Sequence, residues 1–480
     1  MNNATLFAIG AYFVLMLAIG VYAWRKSTSD SSEYLLSGRS LGPAVTALAA
    51  GASDMSGWLM LGLPGALYAS GLVESWIAIG LFIGAWVNWL VVAPRLRAQT
   101  EGYGNALTIP EYLGNRFGDQ RHRLRLVASL VIVIFFAVYS ASGLVAGGKL
   151  FETAFGFDYQ AGLWITATVV VAYVVLGGFL AVSLTDFVQG TIMMVALIVV
   201  PAAALLGLPE GSSARATLDA IDPDMTSLLG GTTALAIASA AAWGLGYFGQ
   251  PHIIVRFMAI RSVKDIPTAR RIGMSWMGIS LLGAIAVGLI GRAFAESNGM
   301  AVADPETIFI LLGETLFHPL LFGFLLSAIL AAVMSTISAQ LLVTGSSLTE
   351  DFYRLFIRRA ASEREIVTVG RLSVVGVAAI AMLLAQDPDG SVLKLVSHAW
   401  AGFGAAFGPL ILFALTWRRM TLAGALAGMI TGAAVVMIWI RLGWDSSLYE
   451  LLPGFIAAAL AILVVSLVTK PPLAETTPHG

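Results

Sequence analysis

Runs of about 20 apolar residues, the length a helix needs to cross the hydrocarbon core of a bilayer, recur about thirteen times along this chain. No water-soluble core absorbs so many helices that are apolar on every face. Of the 480 residues, 58% are hydrophobic and only 11% charged, where soluble chains carry roughly 25% charged residues. The expected fold is therefore an all-α integral membrane protein of about 13 transmembrane helices. The lipid bilayer is its first partner. A net charge of −1 gives no basic field for nucleic acid, and the absence of cysteine excludes disulfides and thiolate chemistry. The run ending at Trp24, followed by Arg25 and Lys26, reads as a first span and not as a cleaved signal.

Charge distribution orients the spans. With the N-terminus outside, 22 of the 27 lysines and arginines fall on the inner side and 5 on the outer: Lys149, Arg215, Arg292, Lys394 and Arg441. An odd number of spans puts the C-terminus inside. In the longest inner loop, Thr108 and Pro110 mark the start of a short interfacial helix. Residues 159–180 and 185–206 are expected to form the fifth and sixth spans, with a weak boundary between them.

Two spans break the simple apolar rule. Residues 51–58 (GASDMSGW) place Asp54 near the middle of the second span, with no lysine or arginine close in sequence. A carboxylate at that depth costs at least about 2–3 kcal/mol, so it marks function. Gly51 and Gly57 bracket it and permit the backbone to leave the helix. Residues 243–252 (WGLGYFGQPH) alternate glycine with aromatics and end at a proline, in the seventh span. Glycines spaced by two and three fit a small-residue packing seam poorly. The two interruptions lie an odd number of spans apart. Interrupted helices at corresponding positions of two halves point to a transporter's central site. We expect discontinuous helices 2 and 7 in a five-plus-five inverted-repeat core.

The expected organisation has a first helix and inner loop at 1–39 and a first repeat of helices 2–6 at 40–206. A second repeat of helices 7–11 follows at 207–416, with peripheral helices 12–13 at 417–470 and a cytoplasmic tail at 471–480. In the ninth span, Ala332, Ser335 and Thr336 share one helix face. Beside carbonyls released from the second span, two hydroxyls would complete a cage of neutral oxygens suited to a small monovalent cation. Back-bonding of the hydroxyls within their own helix is the plainer reading.

These residues, with GRSLGP at 38–43, YSASG at 139–143 and AWAGFGAAFGP at 399–409, resemble the sodium/solute symporter family, and within it the carriers of proline. The resemblance implies thirteen helices around an inverted core, sodium as coupling ion, L-proline as passenger, no other cofactor, no obligate protein partner and a bacterial cytoplasmic (inner) membrane. It implies a sodium site of the Ala52, Met55 and Ala332 carbonyls with the Ser335 and Thr336 hydroxyls, and Asp54 as the sodium-coupling carboxylate. Ser56, Gly57, Tyr139, Trp243, Tyr247 and Pro251 fall at substrate or gate positions. Arg39 and Asp186 fall at inner positions that influence coupling.

Without the resemblance, nothing distinguishes proline from another small zwitterion. A sodium symporter for a different solute, or a transporter-like channel or sensor, stays open at this point. An enzyme is not expected. None of the five histidines forms an i, i+4 pair, and no serine sits in a G-x-S-x-G turn.

Overall fold

The computed structural model describes residues 2–26, 30–386 and 391–470, so the expected tail at 471–480 lies outside the described residues. The described chain is helical. It begins with α1 (Asn3–Lys26), the short α2 (Ser31–Leu36), α3 (Pro43–Asp54), α4 (Leu63–Ser70), α5 (Ser75–Val87), α6 (Ala93–Gly102) and α7 (Ile109–Arg116). Two long helices follow, α8 (Arg123–Phe155) and α9 (Tyr159–Leu206), then α10 (Ala214–Ile221), α11 (Ala234–Ala241), α12 (Pro251–Ala259), α13 (Ile266–Ser297) and α14 (Ile308–Leu316). The chain ends with α15 (Pro319–Ser346), α16 (Glu363–Leu384), α17 (Val392–Thr416), α18 (Leu422–Arg441) and α19 (Leu451–Val468).

Among the described residues, ten helices are long and apolar enough to cross a membrane. This is fewer than the thirteen runs expected, and the shortfall has physical causes. The second and seventh runs are each broken into shorter pieces, so neither counts as one long helix. The fifth and sixth lie in a single run, α9, bent sharply where Gly178 adopts φ 54°, ψ −143°. Only glycine takes that conformation freely. A Cβ there would also meet the Tyr34 carbonyl oxygen at 2.6 Å.

The second run stops as a helix at Asp54. Met55 leaves the helical region (φ −80°, ψ 79°), and the chain resumes with a π-wound turn over Trp58–Gly62 before α4. The seventh run winds as α11, tightens to a 3₁₀-helix over Ala242–Gly249, and opens at Gln250 (φ −84°, ψ 104°). Pro251 then occupies the first turn of α12, where its missing N–H costs nothing.

The joints fall at Met55–Ser56 and Gln250, and the glycines around them mainly serve packing. A Cβ on Gly244 would collide with the Gly80 carbonyl of α5, and one on Gly246 with the Trp400 indole of α17. At Gly249 it would meet the Phe403 carbonyl oxygen at 2.5 Å. A 3₁₀-helix repeats every three residues, so Gly246 and Gly249 share the face turned to α17. The spacing that looked wrong for a packing seam on an α-helix is right for one on this tighter helix.

The helix anticipated at Thr108 is α7, with the Thr108 side chain accepting from the Glu111 amide at 3.1 Å. On one face of the bundle, the segment leading into α3 meets the end of α12 in a two-residue parallel bridge. The Leu41 amide donates to the Ala259 carbonyl (3.2 Å) and the Arg261 amide to the Leu41 carbonyl (3.0 Å). The helices expected to be peripheral make inward contacts as well. The Tyr12 hydroxyl of α1 accepts from the Gln189 amide of α9 at 2.8 Å.

Candidate functional site

The break after Asp54 changes which backbone groups are paired. The Ser56 amide turns back to the Asp54 carbonyl (2.9 Å) and the Leu59 amide goes to the Ser56 carbonyl (3.0 Å). The carbonyls of Ala52 and Met55 thereby lose their usual i+4 partners. The Ser335 hydroxyl, from α15, takes up one of them. It lies 2.7 Å from the Ala52 carbonyl and 3.1 Å from its own helix's Ala332 carbonyl. The Thr336 hydroxyl lies 3.3 Å from the same Ala332 oxygen. The back-bonding reading thus describes Thr336, while Ser335 also bridges two elements. Four of the five anticipated ligand residues form one hydrogen-bonded cluster with no formal charge, entirely buried. Met55, also buried, sits at the same break.

Asp54, 1% exposed, follows Ala52 by two residues at the end of α3. The Tyr247 hydroxyl, from the 3₁₀ segment, donates to its Oδ2, and Oδ1 has no hydrogen-bond partner among the described residues. The Trp58 indole donates to the Asp54 carbonyl at 3.1 Å. Carboxylate and phenol therefore join the two broken helices at their joints. The Tyr247 ring meets Trp400 edge-on, with centroids 5.2 Å apart. The Trp400 indole donates to the Trp243 carbonyl (2.8 Å), and the Gln250 amide to the Trp400 carbonyl (3.0 Å). Tyr139 of α8 stands edge-on to His252, centroids 5.8 Å apart.

Of the anticipated substrate and gate positions, Ser56 and Pro251 lie at the two joints, Tyr139 meets His252 beside the second, Tyr247 reaches Asp54, and Trp243 lies seven residues before Gln250, bonded to Trp400. Gly57 is packed instead: a Cβ there would lie 3.0 Å from the Ala146 methyl of α8. Beside Asp54 and Tyr247 a cavity of about 20 Å³ extends to Asn88 and Met277. That is room for a water or a bare ion and not for an amino acid, so this conformation is closed around its centre.

Arg39 and Asp186 both bond to α12, at Met258 and Arg256. Arg39 donates to the carbonyls of Met258 and Ala106, both at 2.7 Å, and to Asn105 Oδ1 at 2.8 Å. It thereby caps the end of α12. Burial, with Arg97 nearby, lowers its pKa to about 10, so it stays charged at neutral pH. Asp186 of α9 pairs with Arg256 of α12 at 3.0 Å, both almost fully buried. Arg256 also donates to Ser183 at 3.2 Å and lies over the Phe179 ring. Sequence reasoning counted Arg256 only among inner-side charges. The usable signal was Asp186 itself, since a carboxylate in an apolar run requires a cation partner. Gln250 and Trp400 lay inside the quoted motifs without a role.

The model of the sodium:solute symporter family matches residues 34–432. The chain belongs to the sodium:solute symporter family. Its relatives within that family include the high-affinity proline transporter PutP of Bacillus subtilis, 57% identical over 96% of this chain and 98% of the relative. The osmoregulated proline transporter OpuE of the same organism is 54% identical, over 98% and 96%. A sodium/proline symporter of Staphylococcus aureus is 51% identical, over 98% and 94%. Among solved structures, the fold resembles a Na⁺-coupled sialic acid symporter in a substrate-bound outward-open state, with a TM-score of 0.84 at 18% identity, covering 99% of this chain and 100% of that one. It also resembles Mhp1, a nucleobase-cation-symport-1 family transporter in a closed conformation, with a TM-score of 0.58 at 15% identity over 93% and 97% of the two chains. This symporter-family chain is a multi-pass membrane protein.

Proposed function

We propose that this chain is a secondary active transporter that couples inward sodium movement to uptake of L-proline by alternating access. The observation that carries the sodium half is the Ser335 hydroxyl reaching the Ala52 carbonyl at the joint of the second helix. The relatives named as proline transporters, alike over nearly the whole chain, supply the passenger.

In this reading sodium is held by the carbonyls of Ala52, Met55 and Ala332 and the hydroxyls of Ser335 and Thr336. A small cation draws both hydroxyl oxygens toward itself and fixes the joint of helix 2 against α15. Asp54 transmits that order to the chamber through Tyr247. Proline then meets a site whose ordering cost is already met, which is positive cooperativity between the two. Trp243, Tyr247 and Tyr139 present aromatic faces to its ring and secondary ammonium, with Ser56 and Pro251 shaping the wall and Gly57 letting α8 pack close behind it. Arg39 and Asp186 act at the inner side, where the pieces must part for release. The membrane potential contributes about 2.3 kcal/mol per charge per 100 mV to the inward step.

The topology proposed is about thirteen spans, N-terminus outside and C-terminus inside, in a bacterial cytoplasmic membrane. Residues 40–206 and 207–416 form the two inverted halves, and 1–39 and 417–470 flank them. The broken helices at matching places and the bend of α9 at Gly178 support this count. Sodium is the coupling ion and no other cofactor is involved.

Proteoliposomes containing the purified chain should accumulate radiolabelled proline when an inward sodium gradient is imposed, and not with choline in its place. Uptake indifferent to sodium would refute the coupling. Absence of proline uptake, with sodium-driven uptake of another solute, would refute the passenger.

A further inference from the structure

The loop between the last two helices, residues 442–450, reaches Trp243 through one aromatic residue. The Tyr449 amide donates to the Ser239 hydroxyl of α11 at 2.7 Å, and its own hydroxyl donates to the Ser397 carbonyl of α17 at 2.9 Å. Its ring lies stacked on Trp243, centroids 5.1 Å apart and planes within 19°. The next residue, Glu450, is 1% exposed and bonds the His398 ring of α17 at 2.7 Å. A carboxylate is almost never covered so fully unless it is paired, so this pair anchors the loop in one place.

Trp243 is thereby held from two sides. Its carbonyl accepts from Trp400, whose ring meets Tyr247, whose hydroxyl reaches Asp54. Tyr449 is the last ring of that line. The contacts come from three bodies: the first piece of the broken seventh run, α17, and the start of α19. A stack across three bodies separates when any one of them moves, whereas a stack within one element would not.

We propose that Tyr449 is a positioning residue of the chamber: it holds Trp243 closed over the passenger, and the His398–Glu450 pair fixes the loop that carries it. This rests on the reading of the chamber as a passenger site. Removing the ring frees Trp243 to swing away, which opens the chamber from that face and weakens retention of the passenger. The sodium cluster at Ala52 and Ser335 is untouched, because Tyr449 has no contact with it.

The natural chain has no cysteine, so Ser56→Cys supplies one thiol beside Asp54. A membrane-impermeant maleimide is applied from the side bearing residues 442–450. Tyr449→Ala should speed modification of that thiol on the order of tenfold, the equivalent of losing an aromatic stack. Tyr449→Phe, which keeps the ring, should retain the slow rate, and Tyr449→Leu covers the case in which the alanine variant fails to reach the membrane. In transport assays without the added thiol, Tyr449→Ala should raise KM for proline with kcat little changed. Combined with Trp243→Ala it should add nothing further. Unchanged labelling in Tyr449→Ala and Tyr449→Leu, or additive losses in the double variant, would overturn the proposal. If the thiol is unmasked as expected but proline is never carried, the lid stands and the proline reading falls.

Discussion

Asp54 joins the two broken helices through a side-chain hydrogen bond. Its carboxylate receives the Tyr247 hydroxyl and its backbone departs from the helix just where Ala52 is released to Ser335. Asp54→Asn keeps the size and one acceptor but removes the charge. It should cut sodium-driven proline uptake on the order of 100-fold or more while leaving the protein in the membrane, since buried charged partners are worth several kcal/mol. Wild-type uptake in that variant would take Asp54 out of the mechanism. Ser335→Ala and Thr336→Ala should each weaken sodium activation about tenfold, or about 1.4 kcal/mol, while affinity for proline at saturating sodium moves little. A sodium titration of proline binding separates the two. Asp54 and the hydroxyl pair were legible in sequence because lipid makes any polar side chain conspicuous. Arg256 was not, because a cation after a helix break reads as an inner-loop charge until its partner on α9 is seen. Trp400, Gln250 and Tyr449 act through contacts distant in sequence, which no local pattern encodes.

At the scale of the element, both interruptions fall inside the windows read from sequence, one between Gly51 and Gly57 and one just ahead of Pro251. Glycine advertises backbone freedom and proline breaks the turn before it, but neither marks the exact residue that leaves the helix. The chain in fact opens at Met55–Ser56 and at Gln250, where the next residues, Gly57 and Pro251, begin new helical pieces. The glycines between Trp243 and Gln250 stay helical, in 3₁₀ form, and admit α5 and α17 to close range. Gly246→Ala would drive a methyl into the Trp400 indole and should cost about 1–3 kcal/mol of stability, along with transport. Gly10→Ala in α1, where nothing lies within 4 Å, should be neutral or stabilising by up to about 1 kcal/mol. Thermal unfolding of the two purified variants in detergent checks the contrast. Equal melting temperatures would mean that the 3₁₀ glycines are not there for packing. The join of the fifth and sixth expected spans was soft for a related reason. A single glycine in a left-handed conformation turns the chain without any polar loop to announce it.

For the whole molecule, the closed centre predicts ordered binding. With no amino-acid-sized space beside Asp54, the passenger requires the joints to rearrange first, and sodium is the agent proposed to bias them. Sodium should therefore raise the melting temperature by itself, and proline should raise it further only when sodium is present. At one hundred times its Kd, a ligand adds about 2.7 kcal/mol. An equal proline shift in choline would contradict the coupling. One further consequence concerns the parallel bridge between Leu41 and Ile260. It rivets the leading end of α3 to the trailing end of α12 by two backbone bonds, together worth about 1–3 kcal/mol. Those two pieces come from opposite halves of the chain, yet on that face they cannot tilt independently while the rivet holds. A passage opening there either carries both as one plate against α8, α9 and α15, or unfastens first at residue 41.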